Sequence, residues 1–414
     1  MTSQLPPAAQ DDVRMSGFSS RVRVEQAVAW VTAQANALEA EQVPLWELAG
    51  RVLAKDVISD VDVPGFDRAM MDGFAVQAAD TSGASPYNRL RLVLIGTILP
   101  GSGLSLEVSA GQAVKIMTGT AIPPGADAVL PVEQAESRGI EVFVVSEVSP
   151  GKHIGRRGED VARGTTVLTA GRRLRPQDLG VLSSIGIHEA TVVRRPRVRI
   201  LCTGNELLPA GSKPSGSCIT DANGPMLSAL VRRDGGIPTT AGIVPDDPDA
   251  ILDAMRSDAD VVLVSGGSSV GQEDHASALL AEFGDLAVHG IAMRPSSPAG
   301  MGRLGRRLVF LLPGNPVSCL CAYDFFAGLA IRKLAGISDR WPYLQTQLRL
   351  RRKLVSAVGR LDYARVKIVD GEVEPIAISG ASILSSTTRA DGFVVVPENS
   401  EGYPAGAEVS VWLY

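Results

Sequence analysis

Cysteine is scarce in this sequence. Cys202, Cys218, Cys319 and Cys321 are the only four in 414 residues, with no CxxC pair and no histidine at ligand spacing. Neither a zinc site nor a disulfide framework is indicated, and buried or incidental thiols are the simpler reading. A surplus of positive charge is also missing. The formal net charge is -5 and the pI about 5.6, which excludes a nucleic-acid binder working through a broad basic surface and leaves room only for a local anion site. No apolar run approaches the roughly 18 residues of a membrane span. The first twenty residues, MTSQLPPAAQDDVRMSGFSS, lack the basic start and apolar stretch of a signal peptide. The expectation is a cytoplasmic protein with no nucleic-acid partner. Lysine is rare as well, so that 33 of the 40 basic residues are arginine, which bears on one motif below.

What is present is 45% hydrophobic and 21% charged residues, with 43 glycines and 26 prolines. That is the composition of an ordered, loop-rich globular chain, long enough for roughly two to four domains. Residues 1–20 read as a disordered arm. VEQAVAWVTAQANALEA (24–40) has apolar side chains at helical spacing, and LWELAGRVLAKDV continues as a second helical stretch. Residues 62–149 change to short β-rich runs broken by Gly and Pro, a small β domain inserted into a discontinuous N-terminal domain of residues 21–61 and 150–195. From 196 to 338 strands and helices alternate, beginning with VRILCTG, which predicts an α/β domain with a mostly parallel sheet. Its last helix starts at Asn315 as N-cap with Pro316 at the first helical position. Residues 339–414 alternate at period two and form a small, barrel-like terminal β domain. The fold class is therefore multidomain α/β plus β.

Ligands of open α/β sheets bind at the carboxyl ends of the strands. There VRILCT runs into GNEL with Gly204 and Glu206, and TTAGIV into PDDP with Asp246 and Asp247. VVLVSG runs into GSSVGQED with Asp274, and LVFLLPG into NPVS. Carboxylates are hard oxygen ligands suited to Mg²⁺. The backbone of Ser265, Gly266, Gly267 and Gly271, and that of Asn315–Ser318, suits phosphate or another oxyanion. Each acid taken singly is more often a helix cap, and it is their convergence that points to a joint metal and anion site. SGGSSVG lacks the GKS or GKT of an ATP-binding loop.

Taken together, DVPGFDRAMMDGFAV (62–76), IMTGTAIPPGADAVLPVE (116–133), GRRGEDV (155–161), CTGNEL (202–207), SGGSSVGQEDH (265–275) and LLPGNPVS (311–318) resemble the MoeA and gephyrin E-domain family, the molybdopterin molybdenumtransferases. The resemblance covers nearly the whole chain after the arm. It implies a homodimer whose α/β domain, similar to molybdopterin adenylyltransferases, takes adenylylated molybdopterin and molybdate, inserts the metal and releases AMP in a divalent-metal-dependent step. It implies catalytic roles for Asp72, Thr118, Asp160 and Asp274, the first three serving the neighbouring subunit's cleft. Glu206, Asp246 and Asp274 would hold the metal, and Pro313, Gly314, Asn315 and Pro316 would fix the anion-binding turn. Molybdate would be met by Ser318, Arg365, Ser382 and Ser386. Adenylyltransferase or molybdoenzyme partners are a further implication, and a gephyrin-like peptide-binding scaffold is the alternative. Where the family shows KPGKP, this chain reads RPSSP (294–298). Arg294 keeps one charge and Ser297 loses the other, with Arg303 or Arg306 as spatial substitutes.

Overall fold

The computed structural model describes residues 21–103, 106–266, 275–377 and 380–414. They divide into two compact units. One comprises Gln42–Ala49 with Leu53–Thr191; the other comprises the described residues through Glu41 with Gly50–Val52 and Val192–Tyr414.

The smaller unit is built on β1 (Gly73–Val76), β2 (Leu90–Ile98), β3 (Gln112–Ile116), β4 (Ala128–Pro131), β5 (Ala135–Arg138) and β6 (Glu141–Val144), in spatial order β4-β1-β3-β2-β6-β5. Only β2 and β3 run parallel. Every residue of β1 is buried because both sheet faces are covered. Phe74 and Val76 pack with Leu92, Leu130 and Val142, while Ala75 packs with Val114, Ile116 and Val129. This double burial is why GFAV reads as an unbroken apolar run. Gly73 has no alternative, since a Cβ there would lie 2.0 Å from the Leu130 carbonyl oxygen.

The expected helix over LWELAGRVLAKDV is not formed. Only Leu45–Glu47 makes a 3₁₀ turn, and the amides of Leu53 and Ala54 donate instead to the carbonyls of Arg172 and Thr191. Pairing with distant backbone outcompetes the local helical pattern. A helix spans Pro176–Ser184, with Pro at its first turn and Asp178 accepting from the Arg175 amide at 2.9 Å.

The larger unit contains α1 (Val24–Gln34), whose Val24, Ala27 and Val31 recur at helical spacing and are buried in the same cluster as Ile331 and Leu334. This helix, grouped by sequence with residues 150–195, thus packs within the α/β unit. Its entry is pinned by Val22, which donates to the Gly290 carbonyl and accepts from the Ala292 amide. The central sheet comprises β7 (Arg197–Thr203), β8 (Ile237–Val244), β9 (Val261–Ser265), β10 (Asp285–His289), β11 (Gly300–Leu304) and β12 (Arg307–Leu312), in order β8-β7-β9-β12-β11-β10. The first four are parallel, and β11 and β10 complete an antiparallel edge.

Strand alternation decides which core each side chain joins. Val198, Ile200, Leu263 and Phe310 pack against Leu227 and Val231 of α2 (Asn223–Arg233). Leu201, Val262, Val264 and Val309 pack against Ile251 and Met255 of α3 (Pro248–Met255) and Leu280 of α4 (His275–Phe283). Each such buried aliphatic side chain contributes about 1.5–3 kcal/mol. After β12 the chain enters α5 (Pro316–Ala322), widens into a π turn at Tyr323–Ala327, and continues as α6 (Gly328–Leu334). The π turn carries the fully buried Asp324, whose carboxylate accepts from Arg233 and from the Tyr343 hydroxyl, each at 2.9 Å. Asp234, equally buried, holds Arg233 and Arg332.

The terminal sheet contains β13 (Leu344–Arg349), β14 (Leu361–Val369), β15 (Glu372–Ala377), β16 (Gly392–Val396) and β17 (Glu408–Leu413). Its order is β14-β16-β17-β13, with β15 on β14 and the two-residue strand Met293–Arg294 added parallel to β14 at the open side. One face buries Val366, Val394 and Val411. Tyr363, Phe393 and Trp412 stack on the other. No helix among the described residues is long and apolar enough to cross a membrane.

Candidate functional site

The carboxyl edge of β7 turns at Gly204, which has φ +152 and where a Cβ would sit 2.6 Å from the end of the Glu206 side chain at Oε2. The Glu206 carboxylate therefore lies over the turn, on an exposed residue. The next loop is tied to it by a reciprocal pair. The Asn205 amide donates to Asp246 Oδ2 at 3.1 Å, and the Asp246 amide donates to Asn205 Oδ1 at 3.4 Å. Two of the three expected metal-ligating loops are thus held side by side. Asp247 is a helix cap, accepting from the Ala250 amide at 2.9 Å. Gly267, Gly271 and Asp274 lie outside the described residues. Among the described residues no group of three His, Cys, Asp or Glu side chains stands ready to hold a metal.

Beneath this edge Ser265, Gly266 and Gly314 meet. The Gly266 amide donates to the Leu312 carbonyl at 3.2 Å. A Cβ on Gly266 would lie 2.4 Å from the Thr203 carbonyl oxygen and 2.9 Å from its Oγ1, and one on Gly314 would lie 3.6 Å from Gly266 Cα. Sequence reasoning passed over the residue that joins these turns. Asn223, at the start of α2, donates through Nδ2 to Ser265 Oγ and to the Gly314 carbonyl, each at 2.8 Å. Its neighbour Asp221 accepts from the Gly224 amide at 2.9 Å, and burial together with that carboxylate pushes the Cys202 thiol up. The available signal was the polar cluster TDAN immediately ahead of an apolar-periodic helix. Cys319, 3.8 Å from Ser265 Oγ, is pushed up to about 12 by burial. Neither of these thiols is a nucleophile at neutral pH.

Pro313 is buried, whereas Gly314 and Asn315 are exposed at the mouth of α5. Here the RPSSP turn and the terminal β segment arrive together. Ser296, with φ +90, donates from its hydroxyl to the Ser318 carbonyl at 2.5 Å, and the Val317 amide donates to the Ala381 carbonyl at 2.9 Å. Ser318, Ser296 and the 381–382 loop therefore form one group, with Ser382 exposed on it. Ser386 is buried and its hydroxyl donates to the Ile383 carbonyl at 2.6 Å, so its proton is committed. Arg365, on β14, is fully buried and its charge reaches the Cys321 thiol on α5.

Arg294 makes a two-point contact with Asp362, through Nε at 2.9 Å and through its terminal nitrogen, and Asp362 also accepts from Ser356 at 2.6 Å. Its charge serves the fold as well as the turn. Of the two arginines expected as substitutes for the absent lysine, Arg303 donates to Gln34 and to the Arg306 carbonyl. Arg21 reaches the turn, donating from Nε to Ser297 Oγ at 2.7 Å.

In the smaller unit, Asp72 and Thr118 are brought together. Asp72 Oδ1 accepts from the Thr118 amide at 2.7 Å and from its hydroxyl at 2.8 Å, and these two bonds hold the carboxyl below its usual range. Asp160 is placed by the Val63 carbonyl, which its amide reaches at 3.0 Å. All three residues are exposed.

Three family models match consecutive parts of the chain. They are "MoeA N-terminal region (domain I and II)" over residues 22–186, "Probable molybdopterin binding domain" over 199–333, and "MoeA C-terminal region (domain IV)" over 347–414. Molybdopterin molybdenumtransferase 2 of Mycobacterium tuberculosis is 35% identical over 385 residues, covering 89% of this chain and 94% of its own. The molybdopterin molybdenumtransferase of Haemophilus influenzae is 33% identical, covering 90% and 93%. A crystal structure of the MoeA protein of molybdopterin biosynthesis from Pyrococcus horikosii superposes with a TM-score of 0.82 at 33% identity, covering 95% of this chain and 99% of that one. With identity of this extent along nearly its whole length, the chain belongs to the MoeA family of molybdopterin molybdenumtransferases.

Proposed function

We propose that the protein inserts molybdenum from molybdate into adenylylated molybdopterin and releases AMP, in a step that depends on a divalent cation such as Mg²⁺. The observation that carries this reading is the reciprocal Asn205–Asp246 pair, which sets the Glu206 and Asp246 carboxylates on adjoining loops above the Ser265–Gly266 and Gly314 turns. The donors fit a hard cation. They are carboxylate oxygens, the Asn205 bond engages Asp246 Oδ2 rather than Oδ1, and Glu206 covers the Gly204 turn. Glu206 and Asp246, with Asp274, would hold the ion, which supplies neutralisation of phosphate charge when bound.

The chain's own residues do the rest. Gly204, Gly266 and Gly314 allow backbone to approach the nucleotide closely. Ser318, Ser382 and Ser297, with Arg365 behind them, replace the hydration of a tetrahedral dianion by hydrogen bonds and charge. Asp72, with Thr118 and Asp160, serves the site of a second copy in a homodimer. Four free thiols accord with the cytoplasm. The feature that would favour a peptide-binding scaffold is an apolar groove between the α/β and terminal β segments. Among the described residues that junction is filled by Phe325, Trp341, Phe393 and Trp412 with ring centroids 4.8–5.6 Å apart.

The test is AMP release from adenylylated molybdopterin by the purified protein with Mg²⁺, comparing no oxyanion, molybdate and tungstate. Molybdate-dependent release is expected. Nucleotide binding without release under any oxyanion would overturn the transferase reading.

A further inference from the structure

Three described residues other than glycine have positive φ: His153 at 58, Asp370 at 53 and Ser296 at 90. The first two take the ordinary left-handed value of about +57°, in turns that solvent reaches. Ser296 lies well beyond it and is only 2% exposed. A side chain is costly at such an angle, and a residue kept there is over-determined by what surrounds it. Here the restraints are three hydrogen bonds. The Ser296 hydroxyl donates to the Ser318 carbonyl at 2.5 Å, its own carbonyl accepts from the Ala299 amide at 3.0 Å, and the Ile291 amide closes the turn on the Ser297 carbonyl at 2.8 Å. Glycine, which the family's KPGKP motif carries at this place, would adopt the angle freely but could not make the first of these bonds.

We infer that Ser296 is a positioning residue that sets oxyanion specificity: a latch fixing the spacing between Ser297 and Ser318, and through it the size of tetrahedral dianion the site accepts. Ser297 is half-exposed, and its hydroxyl oxygen accepts from Arg21 Nε at 2.7 Å, which leaves its proton for a ligand. Ser318 is held on both sides, its carbonyl by Ser296 and the preceding amide, that of Val317, by the Ala381 carbonyl at 2.9 Å. The two serines belong to separate segments, the RPSSP turn and α5, and the Ser296 hydroxyl ties one to the other. Donors at a fixed spacing discriminate between dianions of different size, whereas donors on independently moving segments close on either. The inference deepens the transferase reading above and rests on it.

The experiment titrates molybdate, sulfate and AMP by calorimetry into the full chain and into Ser296→Gly and Ser296→Ala. Ser296→Gly removes the latch together with the strain, and Ser296→Ala removes the latch and keeps the strain. Both should weaken molybdate binding about threefold to tenfold, the scale of one lost hydrogen bond, and bring the ratio of molybdate to sulfate affinity closer to one. AMP should bind within about twofold of wild type. Melting temperature separates the variants, falling in Ser296→Ala and holding or rising in Ser296→Gly, so that lost selectivity in the glycine variant is not a folding defect. An unchanged molybdate-to-sulfate ratio in Ser296→Gly would overturn the inference, and so would a loss confined to Ser296→Ala, which marks a purely structural role. If the wild-type chain binds AMP but no molybdate, the transferase reading itself fails and the inference falls with it.

Discussion

Arg21 Nε donates to the hydroxyl of Ser297 at 2.7 Å, although 276 residues separate them. The contact is set by backbone, since Val22 is bridged to Ile291 and the Ile291 amide in turn donates to the Ser297 carbonyl at 2.8 Å. A cation is thereby returned to the turn where the family's second lysine is replaced by serine. Arg21→Ala should weaken molybdate binding about threefold to tenfold, as expected for an exposed charge-assisted contact. Ser297→Lys in that background should restore it. Calorimetric titration with molybdate decides the matter, and no change in Arg21→Ala would remove Arg21 from the oxyanion site.

Asp72 and Thr118 are expected to act as one unit. Asp72→Asn and Thr118→Val should each lower AMP release at least about tenfold while leaving the circular dichroism spectrum unchanged, and the double variant should cost little more than either single one. Full additivity would show that their contact is incidental.

The same pair has a pH signature. The Thr118 bonds depress the folded-state pKa of Asp72, so their stabilisation is present above the unfolded-state pKa and is lost as pH falls through the depressed folded value. Thr118→Val removes the hydroxyl donor and keeps the amide donor, so the Asp72 carboxyl should titrate at higher pH than in wild type. A carboxyl NMR titration with an unmoved midpoint would contradict the assignment.

Glu206→Gln and Asp246→Asn should raise the Mg²⁺ concentration needed for half-maximal AMP release about tenfold or more, with little change in thermal stability, because both residues lie on loops and create no cavity. If Mg²⁺ dependence is unaltered in both, the two carboxylates are not ligands.

Gly73→Ala should destabilise the smaller unit by about 2–4 kcal/mol, because the new Cβ meets the backbone of a neighbouring strand and nothing flexible can yield. Denaturant unfolding checks this, and a change below about 1 kcal/mol would mean that β1 and β4 can separate locally.

The α/β sheet was legible because its inner strands are covered on both faces and read as solid apolar runs, as in VVLVS of β9 and RLVFLL of β12. Topology places the loops after β7 and β8 at one edge, where Asn205 and Asp246 join them. LWELAG was misleading because helical spacing of apolar residues carries no information about distant carbonyls, and Arg172 and Thr191 claim the amides that a helix would use. Asn223 escaped notice because its value lies in two partners remote in sequence, Ser265 and Gly314. Arg21 sat one residue inside a boundary that polarity had drawn at residue 20.

The two-residue strand Met293–Arg294 has a consequence for dissection of the molecule. It is contributed by the α/β part yet completes the sheet of the terminal part, with Arg294 clasping Asp362. A chain cut between them would leave β14 with a bare ladder edge and Asp362 buried without its counter-ion, conditions that favour self-association over folding. The terminal segment is therefore inseparable from the turn it helps to shape, and shortened versions of this enzyme should be sought at the other end of the sequence.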